Sequence, residues 1–379
     1  MIMEASLEGV RVVDFSRVLA GPLATMVLAD LGADVTKIER PGGGDETRAW
    51  GPPHDAEGVA TYFQSVNRGK RSVALDLRDG VARERALELI EDADVVIENF
   101  RPGVMDKLGL GCENLAARNP GLVYCSITGF GSGAGAELPG YDLLIQALGG
   151  LMSITGEADG EPEKVGVALV DVIAGLFATV GILAALRHRD RTGTGQRVDV
   201  DLLTSLLAGL TNQASAFTVA GVVAGRMGNA HPSIAPYELF ATADREIVLA
   251  VGNDRQFRSL AEVVGAPALA DDSRFATNEA RVVHRAELRE ALEQRLTTRP
   301  RAEWVAALGE ASVPAGEVND IAAAFALAER LGLEPIVEVP RGDDGGVRLP
   351  RNPIRLSETP VRYKSAPPTL GEEAAASPP

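Results

Sequence analysis

Val10-Arg-Val-Val-Asp-Phe-Ser16, then Gly21-Pro22, then Leu31-Gly-Ala-Asp-Val-Thr-Lys-Ile-Glu-Arg40 is the stretch that decides the fold. Its two ends are short β-branched runs, and the residues between them carry a helical pattern closed by Gly32. Strand, helix and strand at this spacing make a βαβ unit, which needs a parallel sheet. The pattern recurs: a strand over 73–77, a helix over 82–91, a strand over 95–99, a short helix near 113–118 and a strand over 122–127. The expectation is therefore an α/β protein whose first half is doubly wound. Ligands of such sheets bind beyond the carboxyl ends of the strands, here Ser16-Arg17, Arg40, Asn99-Phe100-Arg101 and Thr128-Gly129.

Positive charge collects in the same region. Lys37, Arg40, Arg48, Arg68, Lys70, Arg71, Arg101 and Lys107 all fall in the first third of a chain whose net charge is −16, and the cluster is read as an anion site. The glycine-rich segment 129–140 matches no dinucleotide fingerprint in spacing and is read as a loop. Further on, Val165-Gly-Val-Ala-Leu-Val-Asp171 opens a run of about twenty apolar or small residues interrupted by one carboxylate. Its length permits a membrane span, but the Ala and Gly content, Asp171 itself and the mid-chain position favour a core helix. Asp171 reads either as an N-cap or as a carboxylate buried for its chemistry, because a buried unpaired charge costs several kcal/mol.

After the turn 191–196, a strand over 197–201 leads to one long apolar helix over 202–220, and small turn-prone residues around 221–232 mark a linker. Two hairpin-like strands, 237–241 and 247–251, followed by helices suggest a smaller α+β domain. Short strands return at 336–339 and 346–349, and a polar Ala/Ser/Pro tail, expected to be disordered, ends the sequence. The domains are expected at 1–221, 222–334 and 335–379. With 379 residues, 45% hydrophobic and 24% charged, the composition is that of a soluble globular protein. The acidity argues against nucleic-acid or anionic-membrane partners. Cys112 and Cys125 read as free thiols, no histidine pair has metal-ligand spacing, and no export signal is seen, so a cytoplasmic protein without a metal is expected.

Several motifs together carry a family resemblance. Leu7-Glu-Gly-Val-Arg-Val-Val-Asp-Phe-Ser with Ala20-Gly-Pro, the segment 31–41, Asn67-Arg-Gly-Lys-Arg-Ser, Val96-Ile-Glu-Asn-Phe-Arg-Pro-Gly and Thr192-Gly-Thr-Gly-Gln-Arg-Val-Asp-Val closely resemble the family III CoA-transferases. That family includes formyl-CoA transferase, carnitine CoA-transferase, succinyl-CoA-dependent dicarboxylate CoA-transferases and α-methylacyl-CoA racemase. The resemblance runs from about residue 7 to Leu370-Gly-Glu. It implies a Rossmann-like large domain to which both chain ends contribute, a small domain, and a homodimer of interlocked chains. Members often continue into a terminal helix beyond the point that matches Gly371.

Carried over residue by residue, the resemblance makes Asp171 the catalytic aspartate. It places Arg17, Val18, Leu19 and Ala20 along the adenine and pantetheine of CoA, and Arg40, Lys70, Asn99 and Lys107 on CoA or its phosphates. CoA is a substrate here, with no tightly bound cofactor. The implied chemistry is attack of Asp171 on a thioester to form a mixed anhydride and then an aspartyl-CoA thioester, in a site that desolvates the carboxylate and stabilises the oxyanion. A helix N-terminus is expected to keep Asp171 ionised.

Racemases of the family carry Gly-His-Asp where this chain has Gly140-Tyr141-Asp142. Tyrosine, with an ordinary pKa of about 10, is a poor base at neutral pH, so Tyr141 is read as a substrate-positioning residue and the transferase is preferred over the racemase. A catalytically inactive acyl-CoA-binding protein is the other alternative, against which the presence of Asp171 counts. The segment Val251-Gly-Asn-Asp-Arg-Gln-Phe257 resembles that of members acting on succinyl-, glutaryl- or related dicarboxyl-CoA. Gly252 and Asn253 then lie in a loop reaching the partner subunit's site, or simply in a strand-end turn. Arg17 or Arg255 is a candidate for a distal carboxylate.

Overall fold

β1 (Arg11–Asp14), β2 (Asp34–Glu39), β3 (Lys70–Ala74), β4 (Val95–Glu98), β5 (Val123–Thr128) and β6 (Arg197–Asp201) form one sheet in the computed structural model of the chain, which describes residues 5–342 and 345–372. Every pairing is parallel and the order is β3-β2-β1-β4-β5-β6, so the winding direction reverses between β1 and β4. At that reversal the loops after the two strands diverge and leave a crevice at their carboxyl ends.

Alternation along each strand sends side chains to two cores, one on each face. Val12, Val95, Ile97, Val123 and Ile127 meet the helix Ala20–Asp30 and the central helix Leu169–Thr192. Val13, Ile38, Val96 and Tyr124 meet Ala86 and Ile90 of the helix Gly80–Glu91, with Leu110 and Leu115. The central helix is apolar and long enough to cross a membrane, yet its Val170, Ala174, Ala178, Ile182 and Ala185 are fully buried in the first of these cores. Burying Val170 and Ile182 contributes about 1.5–3 kcal/mol each. The close approach is made possible by Gly175, where a Cβ would sit 2.6 Å from the carbonyl oxygen of Ala20.

The chain divides into two compact units. The larger comprises residues up to Leu151, Lys164–Val222 and Glu334 onward, and it includes the antiparallel hairpin of β10 (Ile336–Pro340) and β11 (Gly346–Pro350). The smaller comprises Met152–Glu163 and Val223–Leu333. In the smaller unit β7 (Tyr237–Ala241), β8 (Glu246–Ala250) and β9 (Ala315–Glu317) form an antiparallel sheet covered by helices around Phe240, Ile247, Leu249, Phe257, Leu260, Leu292 and Trp304.

Three details differ from the sequence reading. Residues 152–163 belong to the smaller unit, because the guanidinium of Arg226 donates to the carbonyls of Glu157 and Gly160, and Gly228 N–H donates to Gly156. The helix expected over 202–220 is two helices, Leu202–Gly209 and Thr211–Ala220, broken where Thr211 adopts φ of 42°. β3 starts at Lys70 rather than Val73, since its register on β2 is carried by Lys70 and Ser72, buried polar residues that an apolar pattern does not reveal. The expected tail over 373–379 lies outside the described residues.

Candidate active site

A pocket opens at the carboxyl ends of β1, β4 and β5, and Arg17, Val18, Leu19, Ala20, Asn99, Tyr141 and Asp171 all line it. The strand ends and the central helix thus bring together seven of the residues singled out in the sequence.

The loop after β1 is held almost atom by atom. Arg17 N–H donates to Asn99 Oδ1 at 2.8 Å, and Asn99 Nδ2 donates back to the Arg17 carbonyl at 2.7 Å. Lys37 Nζ donates to the Ser16 carbonyl at 2.7 Å and pairs with Asp45 Oδ2 at 3.0 Å. Asp45 in turn accepts from Val18 N–H at 3.3 Å. Val18 needs such a grip, because φ of 69° places a β-branched side chain in the left-handed region.

Behind this loop, Asp14 accepts from Ser16, Thr25 and Lys70, all buried. Asp14, Glu39 and Asp45 sit against Lys37, Arg48 and Lys70, so the buried charges balance. Burial lowers the Lys70 pKa, offset by Asp14 and reinforced by Lys37, to about 8. Burial opposes ionisation of Lys37 as well, yet Asp14, Asp45 and Glu39 hold it above its ordinary value.

Asp171 lies in the first turn of the central helix but does not cap it. The cap position is Ala168, and the N–H groups of Val170 and Asp171 reach instead to Asp142 Oδ1 at 2.8 and 3.4 Å. Asp142 Oδ2 accepts from Gln146 Nε2 at 2.6 Å, and Gln146 Oε1 accepts from Val165 N–H at 2.9 Å. Two carboxylates therefore converge on one helix end, and Asp142 takes its donors. Asp171 is left with burial and then the Asp142 charge acting on it, which push its pKa from 3.8 to about 7. This corrects the expectation that the helix end keeps Asp171 firmly ionised. No hydrogen-bond partner of the Asp171 carboxylate is found among the described residues.

Other expected ligands lie elsewhere. Lys70 is buried with its ammonium spent on Asp14, Asn67 Oδ1 and the Pro22 carbonyl, so it shapes the loop from behind and is not presented to the pocket. Arg40 and Lys107 are exposed and line no part of this pocket. Of the cations read as an anion site, Lys37, Arg48, Arg68 and Lys70 are tied up in internal ion pairs, the guanidiniums of Arg48 and Arg68 being forked onto Glu39 and Asp30. Gly252 and Asn253 belong to the smaller unit, where Asn253 caps the helix Asp254–Val263 by accepting from Gln256 N–H at 3.0 Å. Phe100, at the expected strand end, lines the pocket too, whereas Glu46 and Trp50 carried no recognisable signal and Asp142 entered only as the neighbour of Tyr141.

A half-buried carboxylate with a raised pKa, lining the same pocket as a loop of fixed backbone at the switch point of a parallel sheet, is equipped for nucleophilic attack on an activated acyl group. The family model for CoA-transferase family III matches residues 7–374. The chain belongs to that family. As a family III CoA-transferase it uses CoA thioesters as substrates. Its relatives include the succinate–glutarate CoA-transferase of Agrobacterium fabrum, 46% identical over 97% of this chain and 94% of the relative. The acetyl-CoA:oxalate CoA-transferase of Acetobacter aceti is 41% identical over 97% and 94%. The crystal structure of a CaiB/BaiF family protein from Brucella suis superposes with a TM-score of 0.88, covering 98% of each chain at 46% identity. CoA transfer is accordingly the reaction class of this enzyme.

Proposed function

We propose that the protein moves CoA from succinyl-CoA or another dicarboxyl-CoA to a carboxylic acid, with Asp171 as the nucleophile. The single observation that carries the assignment of Asp171 is its position in the pocket, half-buried and beside Asp142. An oxygen of ionised Asp171 attacks the thioester carbonyl, the C–S bond breaks, and CoA thiolate leaves with the electron pair, giving an acyl-aspartyl anhydride. The thiolate then attacks the aspartyl carbonyl and expels the donor acid as its carboxylate, leaving aspartyl-CoA. An acceptor carboxylate repeats the two steps in reverse and restores Asp171.

Forming the anhydride removes the negative charge that Asp142 and burial disfavour, so the same surroundings that raise the pKa lower the cost of the covalent step. The uncapped first turn of the helix Ala20–Asp30, whose Leu19 and Ala20 line the pocket, supplies backbone N–H groups for the oxyanion. Arg17–Ala20 and Asn99 are proposed to line the bound CoA, Arg40 and Lys107 to meet its phosphates from the surface, and Tyr141 to position the acyl group. Lys70 supports this site from behind.

The donor class rests on the relatives: the mouse protein, 41% identical over 97% of this chain, is a succinyl-CoA:glutarate CoA-transferase. A soluble cytoplasmic homodimer of interlocked chains, with Gly252 and Asn253 reaching the partner's pocket, completes the proposal. Exposed Leu176, Phe177 and Val180 on the central helix give a second copy an apolar strip to cover. The test is initial rates with succinyl-CoA and a panel of glutarate, oxalate, mesaconate and butyrate, following the new CoA ester by chromatography. Transfer to at least one dicarboxylate is expected; hydrolysis alone, or no turnover with any acid, refutes the reading.

A further inference from the structure

Arginine–carboxylate pairs in the larger unit are of two kinds. Arg68 is forked onto Asp30, Nε to Oδ1 at 2.9 Å and Nη2 to Oδ2 at 2.6 Å, and Arg48 onto Glu39 at 2.8 and 2.7 Å. Each uses both carboxylate oxygens. Arg17 and Glu46 share a single contact, Nη1 to Oε1 at 2.5 Å, and leave Arg17 Nε and Glu46 Oε2 buried without any hydrogen-bond partner. Unpaired buried polar atoms are costly, and a one-point contact is the weaker way for a guanidinium to hold a carboxylate. This under-used pair is the one that lines the Asp171 pocket.

The pocket's charges sharpen the point. Its lining carries three carboxylates, Glu46, Asp142 and Asp171, and two cations, Arg17 and Arg101. Arg101 is exposed, whereas the Arg17 guanidinium stacks 4.9 Å from the centre of the Phe100 ring, with its backbone fixed by Asn99. A substrate with a second carboxylate brings one more negative charge into an already acidic pocket and needs a cation that offers a fork. Arg17 has that capacity, and Glu46 competes for it.

We propose that the Arg17–Glu46 pair is a selector for dicarboxyl substrates: the far carboxylate of the substrate displaces Glu46 and is held by the freed guanidinium. The inference rests on the dicarboxylate reading above and goes further, assigning the residues that read the second charge. A monocarboxylate has nothing with which to displace Glu46 and takes no benefit from Arg17.

The experiment measures kcat/KM for succinate and for butyrate as acceptors with one fixed donor, glutaryl-CoA, in the wild type, Glu46→Gln and Arg17→Gln. Glu46→Gln keeps the shape and removes the competing charge, so the succinate-to-butyrate ratio is expected to rise roughly threefold or more. Arg17→Gln is expected to lower that ratio roughly tenfold, the size of one charge-assisted pair. Thermal melts identify a variant that does not fold, and the other then decides. Ratios within twofold of wild type, or moving in the same direction in both variants, overturn the inference even if the wild type transfers CoA normally. No transfer from any dicarboxyl-CoA in the wild type overturns the reading on which it rests.

Discussion

Replacing Asp171 by Asn should stabilise the protein at high pH and scarcely alter it at low pH. The carboxyl titrates at about 7 in the folded chain against 3.8 as its ordinary value, with burial first and Asp142 second as causes. A carboxyl whose pKa is raised on folding favours the folded state while it stays protonated. That advantage is lost as pH climbs from about 3.8 to about 7, and above this range the ionised form burdens the fold in full. At about 1.36 kcal/mol per unit, the shift sets a ceiling near 4 kcal/mol, and relaxation with partial solvent access should leave about half. Urea unfolding of wild type and Asp171→Asn at pH 4.5 and 8.5 measures it. The variant should gain about 2 kcal/mol more at pH 8.5 than at pH 4.5. Equal effects at the two pH values, or a loss at pH 8.5, would refute the assignment of a strained carboxylate.

Asp142→Asn removes the second cause of that shift while leaving burial in place, so the rise of kcat/KM with pH, expected near 7 in the wild type, should move to lower pH. The same change loses a charged partner of the central helix end and should cost about 1 kcal/mol in thermal unfolding. Lys37→Met strands Asp45 and frees the Ser16 carbonyl. Urea denaturation should show a loss of about 3–5 kcal/mol, as for other buried pairs broken on one side. Gly175→Ala drives a methyl against the Ala20 carbonyl, 2.6 Å away. A loss of about 1–3 kcal/mol is expected from this overpacking, together with reduced turnover, because Ala20 lines the pocket.

The parallel sheet was legible because its strands are apolar: Val12, Val95 and Val123 are fully or almost fully buried and sit where a β-branched run says they should. Legibility ended where polar residues point inward. Lys37 and Lys70 look like surface cations in a strand and at a strand start, yet both are buried, Lys37 paired with Asp45 in the loop after its strand and Lys70 with Asp14, 56 residues away. No local pattern separates a lysine that meets a phosphate from one that meets a buried aspartate, since the partner is chosen by tertiary packing. Asp171 stood out as the one charge in an apolar run. Asp142 did not, for its role is to hold N–H groups 28 and 29 residues away. Glu46 carried even less signal, because its importance depends on an incomplete bond to Arg17, a matter of geometry alone.

In the proposed mechanism Asp171 becomes covalently acylated. Intact mass spectrometry of the protein incubated with succinyl-CoA and quenched with hydroxylamine or borohydride, beside Asp171→Ala, tests it most directly. A mass change that maps to the peptide carrying Asp171 and vanishes in the variant is expected. An adduct that persists in Asp171→Ala, or the absence of any adduct in a wild-type protein that still transfers CoA, would contradict it.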